Sequence, residues 1–275
     1  RVLREADGVR VATSCKALCC EGKGARGTLV CEQNGREIRF RFDRLLLALG
    51  RTPNVASTGL DALGVALSEE RRIVTDPFLR TSIPSISVCG DVAGPYQFTH
   101  VAAHQAWYAA VNSLIRPFWS FRADYSVIPW CTFTDPEVAR VGLSEAEAKE
   151  QGIEVEVTRY DIGELDRAVT DSGARGFVKV LSARGSDKVR GATIVGSHAG
   201  ELIAEFVLAM KHGLGLNKLL GTIHVYPTMM EANRYAAGAW KRAHAPENVL
   251  RWLERYFRWR RGGVAGAGAA TERAE

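Results

Sequence analysis

Two apolar runs, each closed by a glycine, constrain this chain more than anything else in it. Leu45 to Leu49 carries no polar residue and ends at Gly50. Ile83 to Cys89 ends at Gly90-Asp91 and is followed by an apolar helical period from about His100 to Leu114, which stops before Pro117. A short apolar run bounded by turn residues is the pattern of a strand buried on both faces. Strand, glycine turn and helix in succession make an α/β unit. The pattern predicts buried strands at 45–49 and 83–89, with Gly50 and Gly90 at their carboxyl ends. Ligands of open α/β sheets bind at that edge, where a missing side chain lets a ligand approach the backbone.

The flanking segments read differently. Ile38, Phe40 and Phe42 alternate with Arg39 and Arg41 after Asn34-Gly35, which predicts a hairpin over 28–42 with one wet face. Composition shifts near Phe121 to Tyr125, and the remainder reads as α+β with strands at 127–133, 153–160, 176–182 and 189–196. Ser144 with Glu147 forms a capping box for a helix closed by Gly152, and Thr228 with Glu231 a second one. Leu202, Phe206 and Met210 mark the buried stripe of a helix closed by Gly213. Pro246 opens a last helix with Val249, Leu253 and Phe257 on one face. The predicted domains are 1–120, 121–261 and a Gly/Ala-rich flexible tail at 262–275.

A formal charge of +5 over 275 residues is too small and too evenly spread for a nucleic-acid partner. No apolar run reaches the roughly 18 residues of a membrane span. The first residue is Arg, so the chain reads as a fragment. Its six cysteines lie among long periodic elements, which favours the cytoplasm over a disulfide-rich secreted fold. Cys15 and Cys20 have the C-x4-C spacing of a redox disulfide, yet no helical pattern follows them. Small residues on a strand and its turn is the reading preferred. No Cys/His set has zinc-ligand spacing, and no metal site is expected. Cys89 and Cys131 fall at strand positions where small residues pack, and are expected to be inert.

Several separated segments resemble the pyridine nucleotide–disulfide oxidoreductases. They are Leu46 to Asn54, Ser87 to Val92, Phe133 to Gly142, Asp166-Arg167-Ala168, Gly191 to Glu201, and Pro227-Thr228 with Glu231, in family order and at family spacing. The resemblance implies the C-terminal part of an α/β FAD/NAD(P)-binding region followed by an α+β dimerisation domain. It implies FAD and NAD(P)H as cofactors, electrons passing through the flavin to a disulfide, metal or other acceptor, and a homodimer. Gly50 and Gly90 would border the cofactor, and Asp91 would accept a ribityl hydroxyl. The helix start at Thr99, His100 and Val101 would aim free N–H groups at the flavin. No glycine-rich dinucleotide fingerprint occurs in this chain, so NADH against NADPH is not legible and the fragment alone is expected to be inactive.

One departure bears on chemistry. Disulfide reductases of the family place His immediately before the Pro-Thr pair, with a Glu four residues after the Pro. Here Tyr226 precedes Pro227, as it does in mercuric reductase, and Glu231 keeps its place. A phenol is a poor thiol base at neutral pH but can donate a hydrogen bond or line a metal–thiolate site. Tyr226 and Glu231 are therefore the candidate catalytic pair, and Glu231 can equally serve as a cap. His224 stands two residues too early to be the family base. The last helix sets Trp252, Tyr256 and Trp259 among arginines. Such a helix can pack across a dimer or lie on a membrane surface, which leaves membrane association of the parent protein open. A non-catalytic dimerisation module is the competing reading of the isolated chain, and mercuric reductase-like activity of the parent protein is the other alternative.

Overall fold

The computed structural model describes residues 8–23, 26–56, 58–60 and 62–268. It divides into two compact units, Arg1–Asn54 and Val55–Glu275.

In the first unit, β1 (Cys15–Lys23), β2 (Arg26–Gln33) and β3 (Arg36–Phe42) form an antiparallel sheet in sequence order. Asn34 and Gly35 turn β2 into β3 with φ of 53° and 75°, the paired positive values that a two-residue hairpin needs and that Asn-Gly tolerates best. Phe42, Phe40 and Ile38 line one face opposite Gly27, Leu29 and Cys31, while Arg39 on the other face pairs with Glu21 and Glu37. Cys15, Cys19 and Cys20 are β1 residues, and all six cysteines are free. Leu45–Leu49 does not form the predicted strand. Leu46 is 90% and Leu49 85% exposed. A strand buried on both faces needs neighbours on both edges, and no described segment of this unit supplies them.

The second unit begins with a loop-rich region around Val55, Val65 and Ile73. The predicted strand at 83–89 is a turn instead: Thr81 N–H donates to Ile86 O and Val88 N–H to Leu79 O, with one bridge between Arg80 and Ser87. Pro84 removes a ladder donor in mid-run, which caps its strand-forming capacity. Cys89 is consequently exposed rather than packed in a strand. Helix α1 (Thr99–Ile115) follows as expected. It stops at Arg116, whose extended φ and ψ are those imposed on a residue before proline.

From Pro129 onward an antiparallel sheet runs in the order β4 (Pro129–Thr132), β5 (Glu137–Gly142), β8 (Val189–Gly196), β7 (Phe177–Ala183) and β6 (Val155–Asp161). β5 falls within the Phe133–Gly142 segment, outside the strands expected from the sequence. Ala139 opposes Ile194 and Val141 opposes Ala192, with Val178 and Val180 in the same rows. These buried residues face α4 (Ala199–Lys211) and α6 (Glu231–Ala243), whose Leu202, Phe206, Ala232 and Ala236 close the core. Arg140, Thr193, Lys179 and Arg159 fill the alternate rows, so the sheet is apolar inward and polar outward. Short helices α2 (Glu145–Glu150), α3 (Asp166–Thr170) and α5 (Leu216–Leu220) connect the strands, and α7 (Glu247–Gly268) ends the chain.

Local signals explain these boundaries. Ser144 accepts from Glu147 N–H while Glu147 accepts from Ser144 N–H, the full capping box. Gly152 and Gly213 end α2 and α4 with φ of 66° each. The second predicted box is only half formed. Glu231 accepts from Thr228 N–H at 3.3 Å, but the Thr228 hydroxyl donates to Val225 O, and Met230 is the N-cap. The α7 backbone is helical through Gly268, so the predicted tail does not begin at 262. Residues 269–275 lie outside the described set.

Candidate functional site

Gly90 takes φ of 82° and sits against the first turn of α1, where an added Cβ would lie 3.5 Å from the Ala102 Cβ. A side chain buried in α1 holds it there. Gln105 is fully buried: its Oε1 accepts from Gly90 N–H at 2.6 Å, and its Nε2 donates to Gly94 O at 2.8 Å and to the Tyr125 hydroxyl at 2.9 Å. One turn-and-helix frame thus fixes Gly90, Asp91 and the loop to Gly94. The start of α1 has no side-chain cap and no acidic residue in its first turn, so its leading N–H groups stay open to an acceptor. Thr99 is exposed there. The Val101 side chain packs into the interior, leaving only its backbone for a ligand. The His100 ring is already engaged: Nε2 meets Pro129 O at 2.9 Å, and the ring stacks on Phe98. Gly50 belongs to the first unit, with φ of 117° and open space where a Cβ would stand. Asn112, two turns after Gln105 and also fully buried, exchanges hydrogen bonds with Phe121 and donates to Phe78 O. Sequence reading missed both amides. Their signal was two large amides seven residues apart on the inward face of an apolar helix.

Tyr226 and Glu231 do come together. With Asp166, Glu164, Tyr160, Tyr235 and Arg242 they border a cleft of about 230 Å³. Asp166 starts α3 and accepts from the Tyr226 hydroxyl at 2.7 Å. That hydrogen bond to a carboxylate, and the carboxylate's charge, hold the Tyr226 phenol above its ordinary pKa. Tyr160 is pushed up to about 12, by burial first and then by the Glu164 charge. Its ring packs on Tyr235 at 5.4 Å, and Tyr235 reaches toward Glu231 Oε1. Both phenols are therefore held protonated, and Tyr226 serves as a hydrogen-bond donor to Asp166 rather than as a base. Glu231 is buried and spends one oxygen on Thr228 N–H.

The loop carrying Tyr226 is anchored from behind. His224 Nδ1 meets Thr222 O at 3.0 Å and Nε2 meets Glu205 Oε1 at 2.8 Å, with a side chain only 4% exposed. Asn233 donates to Glu205 Oε2 at 3.0 Å and to Leu202 O. His224 is thus a structural tie between the loop and α4, which explains its early position. Glu137, inside a quoted motif, accepts from Gly200 N–H and caps α4. Cys131 lies beside Glu137, and burial followed by that charge raises its thiol pKa. Among the described residues no three of His, Cys, Asp and Glu gather as a metal site. No helix among them is long and apolar enough to cross a membrane.

Comparison with known proteins identifies the family. Residues 1–106 match the family model described as pyridine nucleotide-disulphide oxidoreductase, and residues 128–237 match that family's dimerisation domain. A dihydrolipoyl dehydrogenase of Chlamydia muridarum is 37% identical over 224 residues, which cover 82% of this chain and 47% of that protein. A mercuric reductase of Acidithiobacillus ferrooxidans is 37% identical over 203 residues, covering 74% and 37%. Among solved structures, LpdA of Mycobacterium tuberculosis superposes with a TM-score of 0.73 at 26% identity, covering 84% of this chain and 49% of that one. A Cu(II) complex of the HOCl-induced flavoprotein disulfide reductase RclA of Escherichia coli gives 0.72 at 25%, covering 80% and 48%. The chain spans about half the length of the curated relatives it matches. With two family models in the expected order over both parts of the sequence, this chain belongs to the pyridine nucleotide–disulphide oxidoreductase family.

Proposed function

We propose that the protein containing this chain is a homodimeric, FAD-dependent NAD(P)H oxidoreductase of the cytoplasm, passing electrons to a disulfide, a metal or another acceptor. Residues 1–120 would contribute to cofactor binding and 121–261 to the dimer. The observation that carries the reading is Gly90-Asp91, pinned by Gln105 beside the uncapped start of α1. A carboxylate acceptor next to open N–H donors fits a polyhydroxylated, anion-bearing cofactor such as FAD. Bound FAD would supply the two-electron relay between nicotinamide and acceptor. Asp91 would accept from a cofactor hydroxyl, and the backbone at Gly90, Thr99, His100 and Val101 would border the cofactor; a cofactor role for Gly50, in the first unit, rests on the family resemblance alone. Tyr226, its one hydroxyl proton held by Asp166, would position the acceptor substrate through its hydroxyl oxygen, which remains free to accept a hydrogen bond, while the Asp166 and Glu231 charges keep it protonated. The NAD(P)H-binding glycine motif is not in this chain. The six free cysteines favour a reducing compartment.

The test is the whole protein, purified natively. It should show a visible flavin band, bleached by NADH or NADPH under anaerobic conditions, and scatter light as a dimer. The chain alone should hold no stoichiometric flavin and should scatter at twice its 30.1 kDa mass. Absence of flavin, or of bleaching by either nucleotide, would overturn the enzyme reading and leave a dimerisation module. A monomeric mass would overturn the dimer.

A further inference from the structure

We infer that α7 is an interfacial helix that lies on anionic membrane surfaces. At 100° per residue its large apolar side chains, from Val249 to Trp259, fall within one half of the helix circumference. Arg251, Arg255, Arg258 and Arg261 fall in the other half, and Arg260 alone enters the apolar one. In the folded chain that apolar half is not covered: Trp252 is 62% and Trp259 75% exposed, and Val249, Leu250 and Phe257 are each about half exposed. Trp252 and Trp259 instead pack along the helix against Tyr256, making a continuous aromatic ridge.

Charge decides what covers this face. Between Glu247 and Arg261 five arginines stand against two glutamates, a net of +3. A second copy would bring the same +3 alongside, whereas anionic headgroups complement it. The matched dimerisation segment ends at residue 237, ten residues before α7 begins, so the family's interface does not require this helix. The helix is not apolar enough to span a bilayer. A clear apolar face with tryptophans, an arginine-rich polar face and modest overall hydrophobicity is the pattern of a helix that lies in the headgroup region.

The experiment is flotation of the full chain with vesicles of phosphatidylcholine alone or with one third phosphatidylglycerol. Binding is expected only to the anionic vesicles, weakening as salt rises. Replacing Arg251, Arg255 and Arg258 by Gln should cut binding about a hundredfold, since each basic residue near an anionic surface contributes roughly a fivefold factor. Trp252→Ser with Trp259→Ser should abolish flotation with an unchanged far-ultraviolet spectrum, because both side chains are exposed in the folded chain. Equal binding to neutral vesicles, or none to either, would overturn the proposal. So would a doubly substituted chain that loses its oligomeric mass, because the ridge would then be a contact between copies.

Discussion

The Tyr226 hydroxyl donates a 2.7 Å hydrogen bond to Oδ2 of Asp166, 60 residues earlier in the chain, so the loop before α6 and the start of α3 meet in one cleft. Asp166 belongs to a motif visible in the sequence, but nothing along the chain says that its partner is the phenol. The pairing fixes the sign of the chemistry. A carboxylate beside a phenol opposes phenolate, so Tyr226 stays a donor through and beyond the neutral range.

For the whole protein, Tyr226→Phe should lower turnover about tenfold or less, the scale of one lost hydrogen bond. The loss should be flat with pH up to about 10, the ordinary value for a phenol. Asp166→Asn removes the main cause of the raised value, so its rate profile should bend at lower pH than wild type. Steady-state turnover from neutral to alkaline pH checks both. A thousandfold loss in Tyr226→Phe would make the phenol a proton carrier instead of a positioning group.

Gln105→Leu should destabilise the chain by about 1–3 kcal/mol, because it strands the half-buried Gly90 N–H and the buried Gly94 C=O together. In the whole protein it should also loosen flavin retention, since the Gly90-Asp91 turn loses its pin. Denaturant melts and flavin content after gel filtration measure the two effects. A destabilised protein with undiminished flavin would separate Gln105 from the cofactor site.

How much was legible follows from where each signal resides. The Asn34-Gly35 turn, the Ser144–Glu147 box and the apolar period of α1 are local, and the structure follows them. Leu45–Leu49 and Ile83–Cys89 misled because an apolar run states only that a segment wants cover. Whether it becomes a strand depends on neighbours and, at Pro84, on a missing donor. Tyr226 and Glu231 were found through the resemblance. Asp166 was visible there as part of a motif but without its partner, and Gln105, Asn112 and Glu205 were not visible at all, since each acts through a partner at least nine residues away and carries no mark of it in its own neighbourhood.

Glu205 supports a further prediction. It is the shared acceptor of His224 and Asn233, both nearly enclosed. Glu205→Leu takes the acceptor from His224 Nε2 and from one Asn233 N–H, whose amide still reaches Leu202 O, and should cost about 1–3 kcal/mol, the scale of a buried polar group left unsatisfied. Glu205→Gln retains an acceptor oxygen for one partner and should cost less. Thermal melts of the chain order the two variants. Equal, small losses would mean that the His224 loop is held mainly by the Thr228 hydrogen bonds to Val225 and Glu231.

The last prediction concerns Tyr160, whose phenol is pushed up to about 12. In the unfolded chain it ionises near 10. Between those values the folded state keeps a proton that the unfolded state has released, so stability falls as pH rises across that interval. Below pH 10 the contribution is fully present. Alkaline difference spectroscopy should therefore show a late tyrosinate step near pH 12 that disappears in Tyr160→Phe. The same variant should lose less thermal stability than wild type between pH 10 and 12, because one proton fewer is released on unfolding. A wild-type titration complete by pH 10.5, with the fold still intact by far-ultraviolet dichroism, would show that Tyr160 is not enclosed by Glu164 and Tyr235 as the cleft requires.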